Sequence, residues 1–106
     1  MKKIFICSPY RGDIKNNVEV TKYWCKQVID DGNIPVAPHL YFPQFLNDDD
    51  SSERQLGLEL SIHLLKTCDE LWICSADVTE GMSHEIAVAV QQNIQIIDKG
   101  DDYEKF

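Results

Sequence analysis

The chain has four cysteines, Cys7, Cys25, Cys68 and Cys74, but no C-x-x-C pair, and its three histidines are dispersed. That spacing offers no zinc site, so no metal is expected. The sequence also lacks a long hydrophobic run. Met1-Lys2-Lys3 precedes only the short stretch Ile4 to Cys7, and nothing approaches the roughly 20 apolar residues of a membrane span. A cytoplasmic protein with buried, reduced thiols is the expectation. Basic residues are scarce. Ten Lys and Arg stand against eighteen Asp and Glu, a formal net charge of −8. This excludes a general binder of polymeric nucleic acid and an anionic membrane surface as partner, because both draw on clustered Lys and Arg. It leaves room for a small anionic ligand, which one basic loop can hold. Neither G-x-G-x-x-G nor G-K-[ST] occurs, so no dinucleotide or P-loop signature is present and no cofactor is expected.

What is present reads as one domain over residues 1–106. At this length folding removes roughly two-thirds of the extended chain's surface from water, enough for one core. Ile4 to Cys7 is a short β-rich apolar run, a buried strand. Ile14 to Asp31 is helical, with Ile14, Val18, Cys25, Val28 and Ile29 on one face, Asp13 as N-cap and Gly32 as C-terminal stop. Ile34 to Ala37 is a second strand, and Pro35 favours an edge position for it. A long connection follows from Pro38 to Asp50, aromatic first and acidic after. Ser52 and Gln55 fit a capping box for a helix over Glu53 to Lys66, with a Leu56, Leu60, Leu64 stripe. Leu71 to Cys74 is a strand, Met82 to Gln92 a helix, Ile94 to Ile97 a strand, and Asp98 to Phe106 a charged tail.

Strand and helix therefore alternate. The expected fold is a small doubly wound α/β domain, Rossmann-like or flavodoxin-like, with a four-stranded parallel sheet flanked by three helices. Ligands of such sheets bind beyond the C-terminal strand ends. Three loops reach that edge. The first carries Ser8, Tyr10, Arg11 and Gly12, beside a helix N-terminus whose free N–H groups suit an anion. The second carries His39 with Tyr41, Phe42 and Phe45, which either stack on a planar base or cover the sheet edge. The third carries Gly81, Met82 and Ser83, then Glu85 near the start of the last helix. A carboxylate there is stabilised by the helix dipole whether it caps the helix or meets a ligand. Asp48-Asp49-Asp50 reads as a solvated acidic turn, and His63 as a surface residue.

Three segments together resemble the nucleoside 2-deoxyribosyltransferase-like superfamily, and within it a short, poorly characterised branch of bacteria and phages. They are Ser8-Pro9-Tyr10-Arg11-Gly12, Ile34-Pro35-Val36-Ala37-Pro38-His39, and Asp69-Glu70-Leu71-Trp72 leading to Glu80-Gly81-Met82-Ser83-His84-Glu85. The resemblance runs from Lys3 to about Ile97. It implies cleavage of the N-glycosidic bond of a nucleoside or nucleotide, with Glu85 as the nucleophile four residues after Gly81. It further implies Tyr10 near the sugar and Asp69 at a base or sugar edge. Arg11, Gly12 and Ser83 would receive a phosphate. Thr79 stands where the transferases often have an Asp that orients the nucleophile. The chain is also shorter than typical members, which favours hydrolysis, or binding without turnover, over base transfer. The alternative function is a non-catalytic nucleotide-binding or nucleotide-sequestering module using the same pocket. A homo-oligomer is expected, because so small a sheet with an aromatic-rich loop leaves apolar surface to cover.

Overall fold

A computed structural model describes residues 1–100; most of the charged tail expected after Asp98 lies outside the described residues. The elements are β1 (Lys3–Cys7), α1 (Ile14–Asp30), β2 (Ile34–Val36), α2 (Pro38–Tyr41), α3 (Ser51–Leu65), β3 (Glu70–Ile73), α4 (Glu80–Gln91) and β4 (Gln95–Asp98). The four strands form one parallel sheet in the order β2-β1-β3-β4. Strand order reverses between β1 and β3, so the crevice at their C-terminal ends is where this topology places a ligand.

The sheet is buried on both faces at its centre. Phe5, Cys7 and Leu71 face α3 and α4 and pack on Leu65, Met82, Val88 and Ala89. Ile4, Ile6, Trp72 and Cys74 face α1 and pack on Trp24 and Val28. The continuous apolar runs of β1 and β3 follow from this two-sided covering. Pro35 does sit in an edge strand, paired with β1 alone. Asp13 caps α1, accepting from the Asn16 N–H at 3.2 Å, and Gly32 closes it with φ +81°.

Four features differ from the sequence expectations. The connection after β2 is not open loop: Pro38 starts the short helix α2, and Phe42–Gln44 continues as a 3₁₀ turn. Four helices therefore flank the sheet, where three were expected. The buried face of α1 is Thr21, Trp24 and Val28, while Ile14 and Ile29 are exposed. The face is set by what the sheet offers, namely Ile4, Ile6 and Trp72. Thr21 is admitted because its hydroxyl donates to the Asn17 carbonyl at 2.9 Å and lies 3.0 Å from the Ser8 hydroxyl. On α3 the inward residues are Ser61 and Leu65, with Ile62 partly buried, and Leu56 of the expected stripe is exposed. Finally, Asp50 and not Ser52 caps α3. Its Oδ1 accepts from the N–H groups of Ser52 and Glu53 at 2.9 and 3.1 Å. Asp competes well for this position because a carboxylate also meets the positive end of the helix dipole.

Candidate active site

The C-terminal strand ends open into a cavity of about 900 Å³. The loop after β1 contributes Ser8, Tyr10 and Arg11 to its wall. The α2 region contributes Pro38, His39 and Phe42, and the start of α4 contributes Thr79 to Met82, His84 and Glu85. The face of α3 from Glu53 to His63 closes the opposite side.

Glu85 is the most unusual member. It lies in the second turn of α4, is 5% exposed, and lines the cavity. Thr79 starts the helix, its hydroxyl oxygen accepting from the Met82 N–H at 3.2 Å. Helix periodicity then turns Met82 and Glu85 inward together, three residues apart. Met82 buries completely against Phe5 and Leu71. Glu85 ends beside Cys7, whose thiol donates to Oε1 at 3.4 Å. Burial pushes the Glu85 carboxyl up to about 7, and the Cys7 hydrogen bond pulls weakly the other way. Near neutral pH the group therefore exists in both forms, which suits it to proton transfer or to nucleophilic attack.

Tyr10 and His39 form one wall. Their rings stack at 28° with centroids 5.3 Å apart. His39 Nε2 donates to the Ser8 carbonyl at 2.9 Å. Burial lowers the His39 pKa, against a smaller upward pull from the Ser8 bond and the Asp48 charge. The imidazole is therefore held neutral, with its proton on Nε2. The aromatics beyond it divide. Phe42 lines the cavity, whereas Tyr41 and Phe45 are exposed and pack edge-on with centroids 5.0 Å apart.

Of the ten residues that the sequence assigned to the site, seven line this cavity: Ser8, Tyr10, Arg11, His39, Gly81, Met82 and Glu85. Ser8 does so with its hydroxyl turned to Thr21 and away from a ligand. A Cβ at Gly81 would meet no atom within 4 Å, so the wall there is open. Gly12, at φ +95°, borders a neighbouring depression with Phe45 and Asn47 and does not line the cavity. Ser83 is exposed and also lies off its wall.

Asp69 is a correction. It precedes β3, at the N-terminal edge of the sheet, and its Oδ2 accepts from the Lys3 N–H at 2.8 Å. Parallel strands put that edge a full strand length from the cavity, so Asp69 anchors β1 to β3 and meets no ligand beside Glu85. Arg11 is not free either. Its Nε lies 3.1 Å from Asp48 Oδ2, and Nη2 lies 3.9 Å from Asp49 Oδ1. The expected solvated acidic turn is thus divided in use, Asp48 and Asp49 on Arg11 and Asp50 on α3.

Sequence reasoning missed several residues of the site. Cys7, read only as a buried thiol, lies behind the cavity wall against Glu85. Arg54 lines the cavity and, among the described residues, makes no ion pair. His63 and His84, both exposed, also reach its wall, so all three histidines border one cavity. Residues brought to one cavity only by the faces of separate helices, such as Arg54 on α3 and His84 on α4, carry no spacing signal that could have joined them. No cluster of three or more His, Cys, Asp or Glu among the described residues is placed to hold a metal ion. No helix among them is long and apolar enough to cross a membrane.

The parallel sheet, the cavity at its strand-order reversal and the inward glutamate define an α/β domain with the fold of the 2-deoxyribosyltransferases. The solved 2-deoxyribosyltransferase of the psychrotolerant bacterium Bacillus psychrosaccharolyticus superposes with a TM-score of 0.69 at 12% identity, covering 97% of this chain and 77% of that one. The 2-desoxiribosyltransferase of Leishmania mexicana superposes with a TM-score of 0.67 at 14% identity, covering 92% of this chain. This chain spans 63% of the length of the Leishmania protein. At such identities the likeness is one of fold. Residues 2–99 match a domain of unknown function, DUF7768, and the chain belongs to that family. Comparison with curated proteins finds no match.

Proposed function

We propose that this chain cleaves the N-glycosidic bond of a nucleoside or nucleotide, by hydrolysis or base transfer, with Glu85 as nucleophile. The observation that carries this reading is a carboxyl buried against a cavity of nucleotide size and held at about 7. The shared fold and the Gly81 to Glu85 spacing support it. In its ionised form the Glu85 carboxylate attacks the anomeric carbon. The C–N bond breaks and its electron pair leaves with the base, which takes a proton from water. The sugar is then held as a glycosyl ester. Water, or a second base, attacks the same carbon and releases the carboxylate. The stacked Tyr10 and His39 rings flank the sugar or base, Arg54 meets a phosphate, and Arg11 joins it on parting from Asp48.

The test is incubation with deoxynucleosides, their 5′-monophosphates and NAD, with chromatography for free base. Base release is expected, rising with pH through about 7 as Glu85 ionises. Glu85→Ala and Glu85→Gln should abolish it in folded protein. Undiminished release by either variant rules out Glu85 as nucleophile. No release, together with a ligand-induced rise in melting temperature, would identify the chain as a nucleotide-binding module instead. We also propose that the chain acts in the cytoplasm and self-associates. Tyr41, Phe45, Leu56 and Leu58 are 58, 65, 45 and 37% exposed and offer apolar surface for a second copy.

A further inference from the structure

Cys7 is the last residue of β1, fully buried, and among the described residues the only thiol hydrogen-bonded to a cavity-lining side chain. Its Sγ lies 3.4 Å from Glu85 Oε1, an ordinary distance for a thiol donor, and 3.8 Å from the Met82 carbonyl. Among the described residues Glu85 makes no ion pair and no other side-chain hydrogen bond. We propose that Cys7 is the positioning residue of Glu85: its S–H holds Oε1 and so presents Oε2 to the anomeric carbon. This rests on the N-glycosidic reading above, but the geometry of the pair does not.

The chemistry of a thiol fits this task. Burial and the adjacent carboxyl push the Cys7 pKa up, so the group stays S–H and never competes as an anion. A thiol is a weak donor. It fixes the plane of the carboxyl without stabilising the carboxylate so strongly that nucleophilicity is lost. The bond strengthens when Glu85 ionises, because the acceptor is then charged. During ester formation Oε2 becomes the ester oxygen and Oε1 the carbonyl oxygen. The S–H remains on Oε1 throughout, so no proton moves through sulfur. The site of the donor is also rigid. Cys7 pairs in register with Ile73 at the centre of the sheet, and its backbone carbonyl accepts from the Cys74 N–H at 2.9 Å.

The test compares Cys7→Ala and Cys7→Ser with the unmodified chain, each checked for cooperative melting. The Glu85 carboxyl is titrated by carbon-13 NMR, which needs no turnover. The same variants are then assayed for base release against pH. Cys7→Ala removes the donor and should move the carboxyl midpoint up by about 0.5–1 pH unit. Cys7→Ser supplies a stronger donor and should move it down by a similar amount. The pH midpoint of kcat should follow, with KM changed less than threefold. A role in packing alone would move neither midpoint in opposite directions for the two variants. Midpoints that stay put, or that shift the same way in both, overturn the proposal. Should the unmodified chain release no base, the N-glycosidic reading fails while the NMR titration still decides whether Cys7 holds Glu85.

Discussion

Replacing Glu85 by Gln should stabilise the protein, and increasingly so as pH rises. The side chains are nearly isosteric, but Gln carries no charge. In the folded state burial holds the Glu85 carboxyl at about 7, against an ordinary value of 4.5. A raised acid pKa means that the folded state prefers the protonated form. The corresponding stability is fully present below about pH 4.5 and is lost as pH climbs through 7. The whole span is about 2.5 pH units, or about 3 kcal/mol at 1.36 kcal/mol per unit. At pH 5.5 the wild type has already lost about 1 kcal/mol, and at pH 8.5 about 3 kcal/mol. The gap between variant and wild type should therefore widen by about 2 kcal/mol between those pH values. For a domain of this length that corresponds to on the order of 10 °C in Tm. Urea or thermal unfolding of both proteins at pH 5.5, 6.5, 7.5 and 8.5 measures it. A gap that is constant or narrows with pH would refute the reasoning, because the carboxyl would then not be titrating in a buried site. Small domains are held by about 5–15 kcal/mol, so a buried carboxylate is a substantial standing cost at neutral pH. Such a cost is typical of groups placed for chemistry.

Three other predictions concern the cavity wall, the Arg11 ion pair and self-association. Gly81→Ala should leave Tm unchanged or raise it slightly, because its Cβ meets no atom within 4 Å in the first turn of α4; calorimetry checks this, and KM for the cleaved nucleoside should rise if the ligand passes that wall. Asp48→Asn should release Arg11 from its 3.1 Å ion pair and raise affinity for a deoxynucleoside monophosphate about three- to tenfold over the unphosphorylated nucleoside, measured by titration calorimetry. Self-association predicts a mass above 12.2 kDa by light scattering at micromolar concentration, and Leu58→Asp together with Phe45→Asp should return it to a monomer. A monomeric unmodified chain would contradict that proposal.

Much of what converges on the candidate cavity was legible because its elements are local. Gly81 and Glu85 lie on one helix, and the order of strands and helices alone sends the loops after Cys7 and Cys74 to the same sheet edge. Asp69 shows the converse. It is adjacent in sequence to β3 but stands at the strand's N-terminal end, where a parallel sheet presents no ligand crevice. Arg11 and Asp48 are 37 positions apart, and only the fold of the α2 region brings their charges together. On α1 and α3 the helices were readable, yet their inward faces were not. Leu56 forms a plausible stripe with Leu60 and Leu64, but Ser61 and Leu65 face the sheet.

By itself the sequence determined the alternation of elements, the continuous apolar runs of β1 and β3, the edge position signalled by Pro35, and the caps at Asp13 and Gly32. These depend on a few neighbouring residues and on backbone geometry. Tertiary structure alone decided which helix face is buried, which acids meet Arg11, and that the Cys7 thiol meets Glu85 across 78 positions of chain. Those outcomes depend on which surfaces approach each other and how much water they exclude. The elevated Glu85 pKa is the sharpest case, since a carboxyl's charge is opposed only by the low-dielectric packing that surrounds it.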